Sequence, residues 1–162
     1  MKSVVAFALA LVCFTPSAHA DFGDLALGGK FGAGYTETQS GSSYELESWY
    51  FGSSEFAFRV GLLNWLQLDV DVGTLISAYH FNPHLSLGFT SAIDVWTVVP
   101  EFTLGGFILM GDGGQGFGAG IYGELALRYH IDFNWSVAVG AELNLGVPSW
   151  FQGTASFLYA LN

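Results

Sequence analysis

The chain is 162 residues long, with 17% aromatic residues, only 11% charged residues and a formal net charge of −10. Its four lysines and arginines exclude a nucleic-acid or anionic-lipid binder, because both partners demand clustered basic side chains. A mean hydropathy of +0.43 with so little charge also excludes an ordinary soluble secreted domain, whose surface needs charge to stay dissolved.

In chain order, residues 1–20 come first, "MKSVVAFALALVCFTPSAHA". Lys2, an apolar run over 4–14 and the small-residue ending Ala18-His19-Ala20 predict a cleaved secretory signal peptide. That leaves residues 21–162 as one domain. The single cysteine, Cys13, falls inside the leader, so the mature chain is expected to contain no disulfide. Beyond residue 20 no stretch offers the ~18 consecutive apolar residues of a spanning helix. An exported, apolar, glycine-rich chain with 22 glycines and no spanning helix fits one class, the transmembrane β-barrel.

Runs alternating with period two then follow one another. Strands are predicted over 25–35, 55–63, 66–79, 85–95, 101–110, 117–131, 136–147 and 151–161. The second and third meet at a tight Asn64-Trp65 turn. "HFNPH" (80–84) is read as a turn before the fourth strand, and the chain is expected to reverse near Pro100 before the fifth. "GDGGQG" (111–116) reads as a flexible loop, lacking the Lys-Ser/Thr of a phosphate cradle. Eight strands near the ~9–11 residues that cross a bilayer predict an all-β, antiparallel, up-and-down transmembrane barrel.

Parity divides each strand into two faces. One collects residues such as Phe56, Phe58, Leu87, Phe89, Leu104, Leu125, Leu143 and Phe157. The other collects Lys30, Glu55, Arg59, Asp69, Asp71, Asp94, Glu101, Glu124, Arg128 and Glu142, interspersed with glycine, alanine and serine. A solvated exterior would be crowded with Lys, Glu and Thr. Small residues beside a few long charged ones suit the inside of a narrow eight-stranded barrel. Asp69 and Asp71 in "LQLDVDVG" (66–73) are therefore expected to point inward. The reverse arrangement, apolar residues inside, would make a lipocalin-like binder of small ligands.

Charges in a water-poor lumen need partners. The sequence predicts an interior ion-pair network of Lys30, Arg59, Asp69, Asp71, Glu124, Arg128 and Glu142, with Arg59 facing Asp69 or Asp71 across a hairpin. The acidic excess leaves a cation-preferring pore as an alternative, although an eight-stranded ring has little room for a channel. No metal set and no cofactor motif is expected. His80 and His84 are four apart on a turn, and His80 and His130 fall at strand ends. Trp49, Trp65, Trp96, Trp135 and Trp150 are assigned to aromatic girdles at the bilayer interfaces. The segment 36–54 is read as the one long surface loop, with Glu37, Tyr44, Glu45 and Glu47 as contacts for a partner or for divalent cations bridging lipopolysaccharide phosphates.

With this pattern, residues 21–162 resemble the small outer-membrane barrels of Gram-negative bacteria, the OmpA-barrel, OmpX and opacity-protein group. The last strand carries the resemblance furthest, with Gly153, Phe157, Tyr159 and Leu161 keeping the expected alternation. It departs in ending on Asn162 rather than an aromatic residue. The resemblance implies an outer-membrane location, a monomer without enzymatic activity, contact with outer-membrane lipid and lipopolysaccharide, and recognition by the barrel-assembly machinery. His84-Leu85-Ser86 resembles the His-x-Ser of outer-membrane lipid A deacylases, but Leu87 stands where that motif has Asn. A lipid A-modifying enzyme is accordingly only an alternative.

Overall fold

The computed structural model describes residues 24–40, 45–78, 81–93, 98–111, 117–146 and 148–161. The segment read as a signal peptide lies outside them, as do Tyr44, His80, Asp94, Trp96, the loop residues 112–116 and Asn162. Eight strands follow in order: β1 (Leu25–Ser40), β2 (Glu45–Leu63), β3 (Leu66–Ile76), β4 (Phe81–Ala92), β5 (Val98–Met110), β6 (Phe117–His130), β7 (Trp135–Gly146) and β8 (Ser149–Leu161). Each pairs antiparallel with its chain neighbours, and β1 pairs with β8 to close the barrel. Closure leaves no open sheet edge around the wall, the condition for a strand structure to sit in hydrocarbon.

Period two sets the orientation throughout. In β3, Asp69 and Asp71 are buried inside while Val72 and Ile76 are exposed outside. Phe56, Leu87, Phe89, Leu104, Leu125 and Val139 are each more than half exposed on the outer wall. The barrel thus wears its apolar residues outward, the reverse of a lipocalin.

Several boundaries differ from the sequence reading. The polar segment 36–54 is not one loop. β1 runs on to Ser40 and β2 begins at Glu45, in register from Thr36↔Trp49 to Ser40↔Glu45. Polar residues alternate as well as apolar ones in a strand outside the bilayer, so composition hid the pairing. Pro83 and His84 belong to β4 rather than a turn. The β4–β5 ladder begins only at His84↔Leu109, so the proline sits just outside it. Pro100 likewise lies within β5, where its carbonyl accepts from the Ile93 N–H at the mouth of the β4–β5 hairpin.

Inside, the filling changes along the barrel axis. At the end that carries Leu25 and Leu161 lies a belt of paired charges, followed midway by a carboxylate-rich level. Toward the opposite end the lumen is closed by apolar side chains: Phe51, Leu75, Phe107, Leu109, Tyr122 and Trp150. Trp150 therefore does not join a girdle. Parity on β8 turns it inward, where its ring meets Phe107 edge-on at 4.5 Å. Trp65 and Trp135 do stand exposed on the outer surface, the latter 4.9 Å from Tyr159. Tyr122 fits the lumen because Gly105 and Gly88 lie beneath it: a Cβ at either would collide with its ring or hydroxyl.

Candidate functional site: the barrel lumen

The belt nearest the termini is built from six strands, β2 to β7. Arg59 on β2 grips Asp69 on β3 with two bonds, Nε–Oδ1 at 2.5 Å and Nη2–Oδ2 at 2.8 Å. Their positions pair directly across the ladder. The third guanidinium nitrogen donates to Glu101 Oε1 on β5 at 2.9 Å. Glu101 in turn receives Arg128 of β6 through Nε at 2.7 Å and Nη2 at 2.9 Å, and Arg128 Nη1 donates to Ser136 Oγ on β7 at 3.1 Å. Thr90 donates to Asp69 and lies 2.7 Å from Thr103 Oγ1, bridging β3, β4 and β5. Two carboxylates alternate with two guanidiniums, so this belt is neutral, and its forked bonds are the strong, geometrically specific kind.

One level further in, a single ammonium serves four carboxylates. Lys30 Nζ lies 2.5 Å from Glu142, 3.0 Å from Glu124, 3.7 Å from Asp71 and 4.0 Å from Glu55. Neutral donors carry part of the remaining load. Asn144 Nδ2 and Gln152 Nε2 donate to Glu142 Oε1 at 2.6 and 2.9 Å, and Thr154 Oγ1 donates to Glu124 Oε1 at 2.6 Å. Ser86 Oγ reaches Asp71 at 3.5 Å, and His84 Nε2 faces Glu55 Oε2 at the same distance. A cavity of about 20 Å³ lies between the two levels, bounded by Lys30, Arg59, Asp71, Glu101 and Arg128 among others. That is room for about one water.

The lumen also holds residues that sequence reasoning left out of the network. Glu101 is the hub of the belt, and Glu55 and His84 complete the middle level. Glu101 and Glu55 were signalled by parity alone; His84 was hidden by its assignment to a turn. Arg128 meets Glu101 and not Glu124 or Glu142, which turn to Lys30 instead. Of the surface residues, Tyr44 is outside the described residues. Glu37, Glu45 and Glu47 have backbones within β1 and β2, with side chains beyond what is described. Among the described residues no group of three or more His, Cys, Asp or Glu is arranged to hold a metal.

No family model and no curated protein matches the sequence. Solved structures do. Neisserial surface protein A superposes with a TM-score of 0.58 at 15% identity, covering 83% of this chain and 96% of that one. The outer membrane protein OprG from Pseudomonas aeruginosa gives a TM-score of 0.56 at 10% identity, covering 90% and 99%. The chain has the fold of the small eight-stranded outer-membrane barrels. A transmembrane β-barrel designed de novo matches as well, with a TM-score of 0.61 at 13% identity over 88% and 99%. A designed chain shares no ancestry with the natural ones, so the likeness is one of architecture. It carries no particular activity with it.

Proposed function

We propose that this protein is a structural, non-enzymatic outer-membrane barrel that stands as a monomer in a Gram-negative envelope and does not conduct. The observation that carries this reading is the filled lumen: two ionic levels beneath an apolar plug, inside a wall whose outer face is apolar. The ion pairs tie six strands together and so fix their register, a role buried polar groups perform where one arrangement alone satisfies them.

Contact with surface partners falls to the β1–β2 ribbon. β8 accompanies β1 only as far as Glu37↔Ser149, and β3 accompanies β2 only from Gly52↔Ile76. Beyond those points the two strands pair with each other alone and rise clear of the barrel. The rings of Tyr35 and Tyr50 meet at its base, tilted by 57° with centroids 5.7 Å apart, and Tyr50 is 82% exposed. This suits a ribbon anchored at the headgroup level and reaching into lipopolysaccharide, whose phosphates its glutamates would meet through divalent cations.

Against an acyl-transfer enzyme, His84 and Ser86 both point into the lumen, where the serine donates to Asp71 and the histidine faces Glu55. A lipid substrate would have to pass the barrel wall to reach them. The test is fractionation followed by a gel of unboiled beside boiled samples, then planar-bilayer recording. A heat-dependent shift in the outer-membrane fraction with no conductance steps is expected. A single band in the soluble periplasmic fraction, or steady single-channel openings, would sink the proposal.

A further inference from the structure

The two edges of the β1–β2 ribbon are not alike. On the β1 side, pairing with β8 stops at Glu37↔Ser149, which leaves only residues 38–40 beyond it. On the β2 side, pairing with β3 starts at Gly52↔Ile76, and no ladder among the described residues covers residues 45–50. That stretch pairs with β1 in unbroken register, from Ser40↔Glu45 to Tyr35↔Tyr50. Its backbone groups that turn away from β1 therefore present a strand edge. Natural edges are blunted by proline, lysine or a bulge, and residues 45–50 carry none of the three. A two-stranded ribbon is also marginal by itself, and a third strand stabilises it.

We propose that residues 45–50 are a docking edge for an extended, basic segment of another polypeptide, which adds to β2 as a third strand; this rests on the ribbon being the contact surface, as proposed above. Charge selects the occupant. Residues 36–54 contain Glu37, Glu45 and Glu47 and neither lysine nor arginine. The chain has no base to spare for them. Lys30, Arg59 and Arg128 are held by carboxylates inside the lumen, and Lys2 lies in the segment read as a signal peptide. A second copy would bring only more carboxylates, whereas opposite charges on paired strands attract. Backbone bonds along the edge supply the affinity, and lysine or arginine beside the glutamates supplies the choice of partner.

The test uses the folded barrel in zwitterionic detergent micelles, free of divalent cations, with a fluorescein-labelled heptapeptide of alternating lysine and threonine followed by anisotropy. Saturable binding is expected, with alternate backbone amides of residues 45–50 gaining protection from hydrogen exchange. Glu45→Gln and Glu47→Gln should each weaken binding about 1.5- to 5-fold. Asp132→Asn, in the turn at the far end of the barrel, should bind as the parent does. The same peptide N-methylated at every peptide bond keeps its charges but cannot donate to a strand edge, and it should not bind. Equal binding of that peptide would reduce the contact to charge alone and overturn the docking edge, as would no binding of either. Equal binding of a glutamate-threonine peptide would overturn the basic partner. Self-association without peptide that protects the same amides would give the edge to a second copy and overturn it as well. Binding in micelles does not depend on where the barrel resides or whether it conducts, so fractionation and bilayer recording test the reading above separately.

Discussion

The two ionic levels of the lumen lie next to each other and are built on opposite principles. In the belt, Asp69, Arg59, Glu101 and Arg128 alternate in sign, and each guanidinium meets a carboxylate with forked geometry. In the middle level, four carboxylates share Lys30, and hydroxyl and amide donors absorb what the ammonium cannot. The belt is closed chemistry: every strong donor has its acceptor, and nothing is left to recruit. The middle level is open chemistry, with four carboxylates around its one ammonium. A charge-balanced belt and an acidic excess thus share one narrow barrel because they occupy different heights in it.

Removing the shared cation should separate the levels most sharply. Lys30→Met strips four carboxylates of their only ammonium, and breaking a buried pair in this way costs about 3–5 kcal/mol. The expected outcome is a barrel that fails the heat-shift assay or unfolds at much lower urea. Glu101→Gln should cost somewhat less, about 3 kcal/mol, because Arg59 keeps both bonds to Asp69 while Arg128 keeps only Ser136 and a neutral amide. A double-mutant cycle of Glu101→Gln with Arg128→Met should show strong coupling. The same cycle with Lys30→Met should be close to additive. Coupling as large across the levels as within the belt would erase the distinction between them.

The architecture was legible because alternation is a one-dimensional signal. A parity rule that sends Leu87 outward and Asp71 inward needs no knowledge of which strand lies beside which. Pairing of ions was less legible, and for a physical reason. Arg59 and Asp69 sit across one tight turn, so the chain itself brings them together. Lys30 and Glu142 are on β1 and β7, with β8 between them, and meet across the curve of the closed ring. No local spacing encodes that distance. The girdle assignment misled at one strand end, where parity already turned the residue inward. Trp150 read as a girdle residue, yet it plugs the lumen with Phe107 and Tyr122, where glycines such as Gly88 and Gly105 make space on the inner wall that hydropathy does not show.

Smaller changes sharpen the same contrast. Thr90→Val keeps the shape of a side chain in the belt but removes its bonds to Asp69 and Thr103. A loss of about 1.5–3 kcal/mol is expected, as for a hydrogen bond to a charged group, seen as a lower urea midpoint. Above the middle level, the Tyr122 hydroxyl is buried without a partner. Tyr122→Phe removes that unsatisfied group and leaves the ring over its glycines, so the barrel should gain about 1 kcal/mol. A loss of stability would mean that the hydroxyl meets a water or the middle-level carboxylates.

The smallest effect lies outside the lumen, and it sets the baseline for reading the others. Asp132 stands in the exposed β6–β7 turn, where its Oδ1 accepts the N–H of Asn134 at 2.8 Å and of Trp135 at 2.7 Å. Those two bonds favour the ionised form and hold the carboxyl below its usual range. A depressed value means that its contribution is present above the unfolded-state pKa, ~3.9, and is lost as pH falls through the lower folded value. Asp132→Asn keeps an acceptor oxygen for the turn and removes that titration. Its stability below pH 4 should therefore track the parent more closely than at neutral pH, with a difference small enough to vanish in high salt. The lumen variants differ in this respect: charges behind a closed wall are screened far less than one in the open. Salt that abolishes the Asp132 effect should leave the costs of Lys30→Met and Glu101→Gln nearly intact. If salt erased all three alike, the carboxylates of both levels would be in contact with bulk water.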